Sequence, residues 1–219
     1  MLNTVAHDRR FQDRADAGQQ LADRLKGYAQ CPNLLVLGLP RGGVPVAYPV
    51  AQALQAPLDI CLVRKLGVPD HKELALGAIA SGGVRVLNDD VVKGMGISAA
   101  AIDAIAAREL EELQRRDRAY RGDRPSPSIR DRTVILVDDG IATGATMRAA
   151  VSVIQPQGPA RLIVAAPVAA PALCQELSLM VDEVVCVVMP PTLRAIGYWY
   201  QDFSQTSDDD VRHLLSCSG

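Results

Sequence analysis

Aromatic residues are scarce in this chain: five Tyr, two Phe and one Trp among 219 residues. Hydrophobic residues nevertheless make up 48% of it, so the interior must be filled by aliphatic side chains and alanine. That composition suits a parallel sheet whose strands, buried on both faces, read as continuous Val/Ile/Leu runs. The five cysteines, Cys31, Cys61, Cys174, Cys186 and Cys217, are scattered and form no C-x-x-C pair. Such an odd, dispersed set excludes a zinc-ligand spacing and argues against a disulfide frame, so reduced thiols and a cytoplasmic location are expected. Long apolar runs are also missing. The longest, over 162–173, is broken by Pro167 and Pro171 and is too short for a bilayer, and the polar start MLNTVAHDRRFQDR gives no sign of a signal peptide. No membrane association is expected. Nor is there an excess of one charge: 23 Lys and Arg face 25 Asp and Glu, for a net charge of −2, which provides no basic footprint for nucleic acid.

What is present is an α/β rhythm. A helix is expected over 13–29, with Leu21, Leu25 and Tyr28 on one face. An apolar strand over 34–38, a turn over 39–43 and a helix to about 54 follow, then a second strand over 58–64. The β-loop-α-β order implies parallel strands joined by right-handed crossovers. Residues 65–83 are rich in Gly and Pro and mixed in character, with an apolar island over 74–80 that could form a short strand pair with 84–87. Ser98 reads as the N-cap of a long helix to about 120, whose alternating charges over 108–121 indicate a solvated face or a lid. After a loop over 122–131, strands are expected over 134–137, 161–166 and 184–189, with helices over 146–154 and 171–180. Five parallel strands imply a doubly wound open sheet in a single domain spanning 1–219, with a helical or lid insertion over about 65–121. The tail, 190–219, differs in kind and forms a small hood together with the helix at 11–29. It carries Tyr198, Trp199, Tyr200 and Phe203, half of the chain's aromatic residues.

Chemistry concentrates in TVILVDDGIATGATMRAAV, residues 133–151. A buried strand runs into two adjacent carboxylates, Asp138 and Asp139. The small-residue loop Gly140, Ile141, Ala142, Thr143, Gly144, Ala145, Thr146 then opens a helix. Ligands of open parallel sheets bind at the carboxyl ends of the strands, and a helix start with free N–H groups and two threonine hydroxyls is a cradle for phosphate. Two carboxylates would repel a bare phosphate, so they need ribose hydroxyls or a magnesium ion held through water. The loop has no G-x-x-x-x-G-K-[ST], which excludes a P-loop, and the chain has no G-x-G-x-x-G, which excludes the dinucleotide fingerprint.

Residues 134–146 resemble the signature of type I phosphoribosyltransferases: a hydrophobic strand, two acids, then x-x-x-T-G-x-T. The stretches LPRGGVPVA (39–47), RKLGVPDHKELALGAIASGG (64–83) and YWYQDFSQTSDDDV (198–211) are similar to a bacterial subgroup of that family whose acceptor is unsettled. The resemblance implies the type I phosphoribosyltransferase fold and transfer of a 5-phosphoribosyl group from phosphoribosyl pyrophosphate to a nitrogen of a nucleobase or related heterocycle, with Mg2+. It implies that Asp138 and Asp139 meet the ribose hydroxyls and, through these or through water, the magnesium. The loop 142–146 would take the 5′-phosphate. Arg41, Gly42 and Gly43 would form the pyrophosphate loop, with a cis peptide expected between Pro40 and Arg41. Arg64 and Lys65 would neutralise the departing pyrophosphate, and segment 66–83 would close as a lid, together with the helix at 98–120. Members of the family often form homodimers.

Bland alternatives stand beside these assignments. Arg41 could be a surface residue in a tight turn, and Arg64 and Lys65 a solvated strand end. The tail aromatics could stack on a base or only anchor the tail, and Asp208–Asp210 would supply favourable charge at the start of the last helix. His71 receives no role, and Phe11 and Arg14 find no explanation in the sequence. Ala142 stands where 6-oxopurine salvage enzymes carry an aspartate, which weighs against hypoxanthine or guanine. A nucleotide-responsive regulator that binds without turnover is the rival from another class, and a phosphohydrolase using the acid pair is a second. The regulator would need a nucleic-acid surface that the balanced charge does not supply, and the phosphohydrolase a metal-ligand cluster that is not seen.

Overall fold

A computed structural model describes residues 10–68, 71–193 and 195–218, with backbone alone for 71–74. His71, expected in a loop, instead begins a strand and has no described side chain, and part of the expected lid lies outside the described residues. In chain order, helix α1 (Arg14–Leu25) precedes strand β1 (Leu34–Gly38), helix α2 (Gly43–Leu54) and strand β2 (Leu58–Ile60). Then come β3 (Val63–Val68), β4 (His71–Ala80), β5 (Arg85–Leu87), the short helix α3 (Asp89–Gly94) and the long helix α4 (Ala99–Arg121). The second half runs β6 (Thr133–Val137), α5 (Ala145–Ile154), β7 (Arg161–Val168), α6 (Pro171–Leu177), β8 (Glu183–Val188) and α7 (Asp208–Ser216).

Five of these strands form a wholly parallel sheet in the order β2-β1-β6-β7-β8. It is the doubly wound open sheet that the alternating pattern implied. Every residue of β1 and of β6 is buried, which explains their unbroken apolar sequences. Alternate side chains serve opposite faces. Val36, Ile135, Val137, Ile163 and Ala165 pack with residues of α1 and α2, while Leu35, Leu37, Val134, Leu136, Leu162 and Val164 pack with residues of α5 and α6. The chain leaves β1 towards β2 on one side and leaves β6 towards β7 on the other. The strand order therefore reverses between β1 and β6, and the crevice beyond their carboxyl ends is the place where such sheets bind ligands.

A separate antiparallel sheet, β3-β4-β5, occupies the insertion. The pairing of 74–80 with 84–87 expected from sequence is present as β4 with β5. The strand expected over 58–64 is corrected. It ends at Ile60, and Val63 and Arg64 instead begin β3 opposite Ala80 and Ile79. The apolar run Ile60–Val63 carries no turn residue to mark the break. The buried Arg121 at the end of α4 helps to end β2, donating to the Ile60 carbonyl at 2.6 Å and to Asp59 at 2.8 Å. Ser98 caps α4 as expected, its hydroxyl accepting from the Ala101 amide. One face of α4 is not solvated, because Ile102, Ala106, Leu113 and Tyr120 join the core cluster that contains Leu66, Val68 and Leu76.

Arg121 also pairs with Asp117, and its side chain is only 3% exposed. Replacing it by alanine leaves Asp59 and Asp117 unpaired, although both keep some solvent access. Arg121→Ala is expected to lower unfolding free energy by about 2 kcal/mol in denaturant titrations.

Candidate functional site

The crevice at the switch point is walled by two loops. The first follows β1, where the peptide between Pro40 and Arg41 is cis and Gly43 starts α2. The second follows β6 and carries Asp138 and Asp139. The two loops touch so closely that side chains are excluded. A Cβ on Gly42 would lie 2.0 Å from Asp139 Oδ2, and one on Gly43 would lie 2.6 Å from the Val137 carbonyl oxygen.

Beyond the acids, Ile141 is buried and donates its amide to the Val168 carbonyl at 2.9 Å. That bond pins the middle of the loop to the end of β7 and leaves Ala142 and Thr143 exposed. Gly144, at φ +72°, turns the chain into α5. A side chain there would meet Leu173 at 2.7 Å and be strained in the left-handed region. Arg148 closes the loop from behind, donating to the Thr143 carbonyl at 2.9 Å and to Glu176 at 3.0 Å. The opening amides of α5 have no carbonyl a turn earlier to reach, so the loop ends on a positive pole suited to an anion.

Asp138 and Asp139 sit beside this pole. Asp138 Oδ1 accepts from the Asp139 amide at 2.9 Å, and Asp139 Oδ2 accepts from Arg14 Nε at 2.8 Å. Burial pushes both carboxyls above the ordinary range, Asp138 well above it. The neighbouring charge of Asp139 adds to the rise at Asp138, while Arg14 opposes the rise at both. The Tyr200 phenol, which burial keeps protonated, donates to the Asp139 carbonyl at 2.6 Å.

Arg41 lies 3.8 Å from Asp208 at the start of α7, and Asp208 also accepts from the Tyr120 hydroxyl at 2.7 Å. Arg64 is ion-paired with Glu109 of α4. Lys65 follows Arg64 on β3 and so faces the opposite side of the small sheet, where it lines a cavity of about 300 Å³ with Ala145, Arg148 and Ser152.

The family model for the phosphoribosyl transferase domain matches residues 10–189. The chain belongs to the phosphoribosyl transferase domain family. It is 51% identical over 207 residues to the Mycobacterium tuberculosis protein named "Putative phosphoribosyl transferase Rv0571c" (strain ATCC 25618 / H37Rv), covering 94% of this chain and 46% of that protein. The counterpart in strain CDC 1551, "Putative phosphoribosyl transferase MT0597", matches to the same degree. The chain thus spans about half the length of these curated relatives. Among solved structures, TT1426 from Thermus thermophilus is 42% identical with a TM-score of 0.87, the match covering 95% of this chain and 99% of that one.

For a phosphoribosyl transferase domain, the expected site residues fall into distinct groups. Arg41, Gly42, Gly43 and the run Asp138–Thr146 surround one crevice. Arg64 and Lys65 face opposite sides of β3, Arg64 turned to Glu109 and Lys65 to the cavity beside Ala145. Trp199 and Tyr200 are buried with Phe11, Ala17 and Val168, a placement that fits anchoring of the tail, not stacking on a base. Tyr198 is exposed beneath the Arg10 guanidinium, and Phe203 lies 3.9 Å beneath that of Arg14. Among the described residues no group of three or more His, Cys, Asp and Glu is placed to hold a metal ion, and no helix is long and apolar enough to cross a membrane.

Sequence reasoning missed Arg14. Its partner, Asp139, is 125 positions away. The available signal was a cation opening α1, directly after the N-cap Asp13, where the helix dipole disfavours positive charge.

The raised Asp138 carboxyl has a consequence for stability. Its folded form keeps a proton above the ordinary value of 3.8, so the folded state binds more protons than the unfolded chain, and stability falls as pH rises through that window. Asp138→Asn retains an acceptor for the Asp139 amide without the charge. It is expected to melt higher than wild type in the ligand-free state at pH 7, with the gain vanishing towards pH 3 in thermal scans.

Proposed function

We propose that the chain transfers the 5-phosphoribosyl group from phosphoribosyl pyrophosphate to a ring nitrogen of a nucleobase or related heterocycle, releasing pyrophosphate. The observation that carries this reading is the union, at the switch point of the sheet, of an anion-ready helix start with two desolvated carboxylates. A phosphate alone would be repelled by Asp138 and Asp139; a phosphorylated sugar satisfies both halves. Its 5′-phosphate takes the amides and hydroxyls of 142–146, and its ring hydroxyls donate to the carboxylates.

The acceptor nitrogen supplies an electron pair to C1′ as the C1′–oxygen bond breaks, and that bonding pair leaves with pyrophosphate. The displaced N–H proton passes to solvent or to the pyrophosphate itself. Positive charge develops on the ring and negative charge on the leaving group, so fixed charges at the right end of the site lower the barrier. Arg41 fills this role once it exchanges Asp208 for pyrophosphate. Lys65, near Ala145, is the second candidate. A closed cover over the crevice keeps water from intercepting the sugar cation. Two adjacent carboxylates are too few for a dedicated metal cage, but they suit Mg2+ held through water and shared with the ligand's oxygens. Bound there, the ion would offset charge on the leaving group. Ala142 presents no carboxylate to a base, consistent with an acceptor other than hypoxanthine or guanine.

The test is to incubate the protein with phosphoribosyl pyrophosphate, Mg2+ and a panel of heterocycles, and to follow ribosylated products by mass spectrometry. A new product with one acceptor and matching pyrophosphate release is expected. Asp138→Asn with Asp139→Asn should bind the donor at least about 100-fold more weakly while remaining folded, since two charge-assisted hydrogen bonds are lost. Unchanged donor affinity in that variant would refute the assignment. Tight donor binding with no consumption across the panel would instead mark a ligand-responsive regulator.

A further inference from the structure

Arg14 is held on three sides. Besides its bond to Asp139, Nη1 donates to the Ser204 carbonyl at 2.7 Å, and its plane rests on Phe203. The side chain is only 12% exposed. Around it, the segment preceding α1 is stitched to the tail by backbone bonds. The Phe11 amide donates to the Trp199 carbonyl at 2.8 Å, the Gln201 amide to the Phe11 carbonyl at 2.8 Å, and the Asp202 amide to the Gln12 carbonyl at 2.9 Å. Tyr200, in the same braid, holds the Asp139 carbonyl. Two segments joined by a bond that spans 190 positions thus grip one aspartate at its carboxylate and at its backbone.

This grip divides the acceptor capacity of the acid pair. Asp139 Oδ2 is committed to Arg14 and Asp138 Oδ1 to the neighbouring amide. One oxygen of each carboxylate remains without a protein partner among the described residues. A guanidinium is a planar fork whose donors are fixed relative to one another, so a contact at Ser204 constrains the contact at Asp139; a lysine ammonium on a flexible stem cannot do this.

We propose that Arg14 is a positioning residue for the sugar hydroxyls: by clamping Asp139 Oδ2 against the tail, it presents the remaining oxygen of that carboxylate to a ribose hydroxyl. The inference rests on the reading of the crevice as a phosphoribosyl site and deepens it. Arg14 itself touches no reacting atom in this scheme. Its effect reaches the ligand through Asp139, and the tail becomes part of the sugar site without contributing a side chain to it.

The experiment compares two ligands by calorimetry: ribose 5-phosphate, and tetrahydrofurfuryl phosphate, which keeps the ring and the phosphate but has no ring hydroxyl. Wild type should prefer ribose 5-phosphate by about tenfold or more, the worth of hydrogen bonds to charged groups. In Arg14→Ala and Arg14→Lys the preference should fall towards unity, while affinity for tetrahydrofurfuryl phosphate, which reports only the phosphate cradle, stays within about twofold. A merely structural role would change melting temperature and leave the preference intact. If Arg14→Ala fails to fold, Arg14→Lys decides, since it keeps a cation beside the buried carboxylate. A folded Arg14 variant with the wild-type preference overturns the proposal. Wild type that binds neither ligand, or both equally, overturns the phosphoribosyl reading itself and this inference with it.

Discussion

Taking two adjacent carboxylates out of water costs free energy, and the ligand-free protein compensates only part of it. Asp138 has one amide, Asp139 has Arg14, and burial still pushes both carboxyls upward. The surroundings are shaped by that pair. Glycine at 42 and 43 is required because the acids crowd the neighbouring loop, Tyr200 fixes the Asp139 backbone, and the tail folds back to hold Arg14. A ligand that donates hydroxyls to the remaining oxygens would satisfy groups that have no protein partner among the described residues. Such a trade of stability for binding is common where a site must be ready before its ligand arrives.

The cations follow a similar logic. Arg14, Arg41 and Arg64 are each held by an acid from a different element: Asp139 after β6, Asp208 in α7 and Glu109 in α4. The Arg41 pair is long and more than a third exposed on both sides, the kind of surface contact worth little and readily exchanged for a polyanion. The Arg14 pair is short and shielded, which suits a fixed strut. Depth of burial therefore separates the two pairs, and it fits the proposed roles of Arg14 as a positioning residue and Arg41 as a ligand for pyrophosphate. Both kinds stand around one crevice.

The central strand, its acid pair and the glycine loop were legible because strand, turn and helix start are contiguous between Thr133 and Ile154, and each local preference agrees with the fold. The cap at Ser98 and the pairing of β4 with β5 were legible for the same reason. The break between β2 and β3 was not. Ile60, Cys61, Leu62 and Val63 are equally apolar, and the end of β2 is fixed by contacts that include Arg121, some sixty residues later. The tail aromatics were visible as a cluster, but only packing against Phe11 and Val168 separates the buried Trp199 and Tyr200 from the exposed Tyr198. Arg14 lay furthest from reach, because its meaning depends on residues 139 and 204 at once.

On the proposed function, the start of α5 and the acid pair act together as one receptor for a phosphorylated ribose. A crystal structure with phosphoribosyl pyrophosphate bound tests it most directly. The 5′-phosphate is expected against the amides of residues 142–146, with the ring hydroxyls on the two carboxylate oxygens that lack a protein partner among the described residues. Donor bound elsewhere on the protein, with Asp138 and Asp139 untouched and still engaged only by Arg14 and the local amide, would contradict it.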